Sequence, residues 1–83
     1  MQIKDIELLR LKMRVSYNGL WKQLIDHNMQ KKDLISELNL SSSTVAKMGK
    51  GEKVSLDVLE KICAFFGCNI GDVISFENSE GNL

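Results

Sequence analysis

Gln30-Lys-Lys-Asp-Leu-Ile-Ser-Glu-Leu-Asn-Leu-Ser-Ser-Ser-Thr-Val-Ala-Lys-Met-Gly-Lys-Gly51 decides the fold of this chain. It reads as two short helices joined by a tight turn. The first begins near Gln30 or Lys31 and ends at Leu38, with Leu34, Ile35 and Leu38 directed inward at helical spacing. Asn39 makes the turn, because asparagine reaches the left-handed region at low cost. Leu40 plugs the space beneath it, and Ser41 is an N-cap whose hydroxyl accepts a free backbone N–H of the next turn. The second helix covers roughly Ser42 to Lys50. Val45 and Met48 point inward, leaving Ser42, Ser43, Lys47 and Lys50 toward solvent or a partner, and Gly51 is placed to end it. Two helices in this register form the helix-turn-helix, whose second helix lies in the major groove of DNA.

Outward from this motif the chain keeps the same helical habit. Met13 to Tyr17 alternates apolar and polar side chains, the period of a short half-buried strand. Asn18 to His27 reads as a helix, with Leu20, Trp21, Leu24 and Ile25 on one apolar stripe and Asn28 as its stop. Ser55 caps a longer helix to about Phe66, carrying Leu56, Leu59, Ile62, Cys63 and Phe66 inward, and Gly67 closes it. Asn69 with Asp72 resembles a capping box and opens a short fifth helix, Ile70 to Val73. Ile74 to Glu77 is then a strand that pairs with Met13 to Tyr17. The expected fold is all-α, five helices with the helix-turn-helix at the second and third, plus this strand pair. The domain spans 13–77. Residues 1–12 form an N-terminal extension too irregular to assign, either a weak helix or an unstructured tail. Residues 78–83 are a polar tail expected to be disordered.

Eighty-three residues make one domain with a thin core. No run of about 18 apolar residues exists to span a membrane, and no secretory signal pattern opens the chain. Cys63 and Cys68 sit in an apolar segment, the usage of a reduced cytoplasmic protein and not of a disulfide framework. The formal net charge of zero argues against a nucleic-acid partner, since such proteins are usually basic. Its distribution argues the other way. Met13 to Lys53 holds seven cations against four anions, while Val54 to Leu83 holds Lys61 alone against five anions. A basic motif backed by an acidic half is the polarity expected when one face meets phosphates.

Several positions resemble the Cro/C1-type DNA-binding domain of phage repressors, the XRE-like family: Leu34, Leu38, Ser41, Thr44, Val45, Gly51 and Ser55-Leu56-Asp57. The likeness covers Asn18 to Ile74. It is most similar to short stand-alone regulators that open Val-Ser-Tyr-x-x-Leu-Trp, here Val15 to Trp21, and carry an Ile-Cys pair in the fourth helix, here Ile62-Cys63. One such group belongs to vancomycin-resistance gene clusters. Three departures stand out. The frequent turn glycine is Asn39, the small residue at the helix crossing is Ile35, and the late acidic residue of the recognition helix is Gly49. Glycine inside a helix costs about 1 kcal/mol, which predicts that the recognition helix ends a turn early.

The resemblance implies a sequence-specific transcription regulator of double-stranded DNA, and no enzyme, cofactor or small-molecule substrate. Ser42, Ser43 and Lys47, with Thr44 beside them, are the expected base contacts, since residues at the start of such a helix reach base edges. Gln30 and Lys31 at a helix start, and Lys50 and Lys53 after the recognition helix, are the expected phosphate contacts. So few contacts bind weakly in a monomer, which argues for a homodimer. Its surface is expected in the C-terminal helix, at Phe76 or in the N-terminal Ile/Leu segment. The competing expectation is a protein-interaction module, antitoxin-like or a co-regulator subunit. Cys63, Cys68 and His27 lack both the spacing and the fourth ligand of a zinc site. No oxyanion site or orienting group accompanies them for nucleophilic catalysis.

Overall fold

The computed structural model describes residues 13–78. The expectations for residues 1–12 and for 79–83 lie outside the described residues. In chain order the elements are β1 (Met13–Ser16), α1 (Asn18–Asp26), α2 (Lys31–Leu38), α3 (Ser42–Gly49), α4 (Leu56–Phe66), a single 3-10 turn (Ile70–Asp72) and β2 (Ser75–Asn78).

Each helix end follows from a local residue choice. Ser41 accepts the Thr44 N–H at 3.1 Å, and Ser55 accepts that of Val58 at 3.3 Å. Asn28, Asn39, Gly51 and Gly67 all adopt positive φ, where asparagine and glycine meet the least resistance. Leu20, Leu34, Met48, Ile62 and Val73 are fully buried and gather α1–α4 and the 3-10 turn around one core. β1 and β2 pair antiparallel, Met13 opposite Asn78 and Ser16 opposite Ser75. The second strand therefore runs one residue later than expected, and Asn78 belongs to it instead of to the tail.

Three details correct the expectations. The fifth helix is only the 3-10 turn. Asp72 reaches back to accept the Asn69 N–H at 3.0 Å, but the next residues must feed β2, and three residues cannot carry a helix nucleus. α3 does not end early. It continues to Gly49, where Lys50 still bonds the Ala46 carbonyl at 3.2 Å, so the glycine penalty is overridden by packing of the motif. Finally, Ile25, Ile35 and Leu56, expected inward, are 74, 37 and 73% exposed. Successive helical residues sit about 100° apart. With Leu24 and Leu34 aimed at the core, Ile25 and Ile35 swing off it, and a domain this small has no further layer to cover them.

Two backbone approaches tie α1 to the rest. The Leu20 N–H donates to the Val73 carbonyl at 3.0 Å. Beside it, a Cβ on Gly19 would lie 2.3 Å from the Asp72 carbonyl oxygen, so no side chain fits there. Tyr17, buried between β1 and α1, donates its hydroxyl to the Glu52 carbonyl and so anchors the turn that follows α3. Burial pushes its pKa above the ordinary value, with a backbone hydrogen bond at Val54 pulling the other way. The folded state thus holds the phenol proton more tightly than the unfolded chain. Its contribution is intact below about pH 10 and is lost as pH rises through the folded value. Tyr17→Phe is expected to cost about 1–2 kcal/mol at neutral pH, because the Glu52 carbonyl loses its donor. The variant should also lose part of the alkaline destabilisation. Urea unfolding at pH 7 and above pH 10 checks both.

Candidate nucleic-acid interface

α3 is fixed from one side. Val45 and Met48 are buried, and Ser41 locks the first turn through a cluster of hydroxyls. Besides the Thr44 N–H, Ser41 Oγ donates to Thr44 Oγ1 at 2.8 Å and lies 3.2 Å from Ser43 Oγ. The hydroxyl of half-buried Thr44 is therefore engaged by the cap, and that of Ser43 lies against it. The opposite side carries Ser42, Ser43, Ala46, Lys47 and Lys50, all exposed. The structure thus brings Ser42, Ser43 and Lys47 onto one face, with Thr44 at its edge. Ala46 was missed in the sequence, although it follows Ser43 by three residues and precedes Lys50 by four, the spacing of one helical stripe.

The cations separate into two places. Lys31, at the first position of α2, extends its ammonium over the Trp21 ring, 4.4 Å from the centroid. Lys50 lines a groove of about 210 Å³ together with Trp21, Gly49 and Arg14. Lys53 instead lines an apolar cavity with Val54, Ile74 and Phe76, so it is not gathered with the others. Arg14 is engaged by Glu77 at 3.2 Å across the strand pair. Gln30 is exposed at the α2 start, but its backbone N–H is taken up within the chain, donating to Asp33 Oδ2 at 2.7 Å. The Gln-x-x-Asp spacing was the available signal.

The remaining reactive side chains have structural partners. His27 donates from Nδ1 to the Gln23 carbonyl at 2.8 Å, and its ring meets that of Phe66 tilted by 59° with centroids 5.0 Å apart. Cys63 and Cys68 are free thiols, half-buried. Burial raises the Cys68 pKa, with Cys63 and Asp72 pushing the same way. Among the described residues no three His, Cys, Asp or Glu side chains gather as a metal site, and no helix is long and apolar enough to cross a membrane.

Compared with known proteins, residues 19–79 match the model of the Cro/C1-type HTH DNA-binding domain. The chain belongs to this family. Its Cro/C1-type domain is similar to transcriptional regulator VanUg, whose crystal structure superposes with a TM-score of 0.77 at 51% identity. That likeness covers 81% of this chain and 89% of VanUg. An HTH-type transcriptional regulator of Methanocaldococcus jannaschii is 36% identical over 55 residues, 65% of this chain and 83% of that protein. The Cro/C1-type match begins inside α1 and includes β2, so β1, which pairs with β2, lies before the shared segment.

Proposed function

We propose that this chain is a sequence-specific regulator of transcription that inserts α3 into the major groove of double-stranded DNA. The observation that carries it is the two-sidedness of α3: core-locked at Val45 and Met48, open at Ser42, Ser43, Ala46 and Lys47. A helix held rigidly from behind can present short side chains to base edges in one register. Lys47 donates to the guanine O6 and N7 acceptors. The Ala46 methyl suits thymine, and the serines, with Thr44 flanking, read less selectively. Gln30, Lys31 and Lys50 position the duplex through its phosphates. Lys53, set apart beside Val54, Ile74 and Phe76, is a further phosphate contact in this reading. A face this sparse argues for a homodimer on two half-sites and for help from DNA shape. Free thiols and a DNA target fit a cytoplasmic setting.

Fluorescence anisotropy with DNA from upstream of the protein's own gene, against a scrambled fragment, tests this. Four neutralised phosphates should weaken binding roughly 150-fold between about 0.05 and 0.2 M salt. The native fragment should bind tighter than the scrambled one at both. The alternative, a protein-interaction module, draws on the zero net charge and on exposed Leu56 and Phe76, at 73 and 67%. Absence of salt-sensitive binding to any duplex would select it.

A further inference from the structure

We propose that Trp21 is a positioning residue for DNA binding: its indole face holds the Lys31 ammonium ready for a backbone phosphate, and Gly49 leaves that charge unneutralised. This rests on the proposal that Lys31 meets a phosphate. A lysine at the start of a helix is a flexible stem that loses much rotamer freedom when it is fixed in place. Here it is fixed before any ligand arrives. Its Nζ stands 4.4 Å from the centroid of Trp21, within the range in which an aromatic face attracts a cation. The platform itself does not drift, because Trp21 packs against the core and its ring lies 6.2 Å from that of buried Tyr17.

The ammonium is bounded on another side by the end of α3. A Cβ built on Gly49 would lie 3.7 Å from Lys31 Nζ. Gly49 is the last residue of α3, where the helix dipole presents its negative end. A π face and a dipole end both hold a cation without discharging it, unlike a carboxylate. Among the described residues no carboxylate stands within ion-pair distance of Lys31, and Glu77, which lines the groove beside Trp21, is engaged by Arg14 at 3.2 Å. One charge thus gathers a platform from α1, a stem from α2 and the end of α3. Lys50 lines the groove beside the same indole and adds to the positive potential there. Because the stem is ordered in advance, less freedom is lost when a phosphate binds.

The full chain and a mixed-sequence duplex about two helical turns long suffice for the test. Lys31 ε-methylene protons should resonate upfield in the free protein, shielded by the indole. Lys31→Ala, which removes one phosphate contact from each protomer of the homodimer, should flatten the salt slope by about 1.8. Trp21→Leu should weaken binding about two- to fivefold in the native background and add nothing in the Lys31→Ala background, and Trp21→Phe should recover part of the loss. Equal losses from Trp21→Leu in both backgrounds would overturn the positioning role while leaving Lys31 on the phosphate. An unchanged slope in Lys31→Ala would remove the phosphate contact and the inference with it. Should Trp21→Leu fold poorly, Gly49→Asp at its exposed position supplies a second cycle. Its carboxylate should cost more affinity with Lys31 present than with Lys31→Ala, and equal costs would count against the proposal.

Discussion

Lys47→Ala is expected to lower affinity for an upstream operator by about 30- to 150-fold while leaving the fold nearly as stable. Lysine is a point donor, so each base contact belongs at the lower end of the 1–3 kcal/mol range for good readout. A homodimer loses the contact twice, giving about 2–3 kcal/mol in all. Lys47 is exposed and sits in the last turn of α3, where a cation gains about 0.3–1 kcal/mol from the helix dipole. That small term is all the folded monomer should lose. Titrations against native and scrambled fragments, with urea unfolding beside them, separate the two effects. A drop of the same size on both fragments would make Lys47 a phosphate contact and move base reading elsewhere on α3. Lys61→Ala, in the acidic half of the chain, is the matched control and should change neither.

Gly19→Ala should destabilise the domain by about 2 kcal/mol or more, against the direction that helix propensity alone predicts. Alanine is better than glycine inside a helix by about 1 kcal/mol. The new methyl, however, would sit 2.3 Å from the Asp72 carbonyl oxygen, 2.8 Å from its carbon and 3.1 Å from the Val73 oxygen. All three are backbone atoms, so no rotamer change relieves the clash. The nearby Leu20 to Val73 hydrogen bond at 3.0 Å would have to stretch if α1 moved away. Overpacking of this kind costs about 1–3 kcal/mol or more even against yielding side chains. Gly71→Ala, where a Cβ meets nothing within 4 Å, is the comparison and should be near neutral. Urea midpoints of the two variants decide the matter. A stabilised Gly19→Ala would mean that α1 does not approach the 3-10 turn so closely.

The features legible in the sequence were those whose cause lies within a few residues. Ser41, Asn39, Gly51, Ser55 and Gly67 each announce a helix end through their own conformational preference, and each stands where expected. The first strand was readable from the alternation of Met13 to Tyr17, and the second as its partner, one residue short of its true end. Gly19 was not, because its partner lies more than fifty residues away and a lone glycine in a helical pattern signals only a propensity loss. Ile25, Ile35 and Leu56 were misplaced for a related reason. Spacing identifies which residues share a stripe but not how wide a stripe the neighbouring elements can cover. At the interface, the open side of α3 was legible from its buried side. The capture of the Thr44 hydroxyl by the cap and of Lys31 by Trp21 was not, since both depend on three-dimensional contacts.

The direct pairing of Met13 with Asn78 has a mechanical consequence. Tension applied to the chain on either side of the domain enters both strands at the same end. The load therefore falls on one rung of the ladder at a time and peels β1 from β2, instead of shearing all rungs together. The strand pair is thereby a soft clasp around a stiffer helical body. A pull transmitted through flanking chain would open it first, while the helix-turn-helix stayed closed.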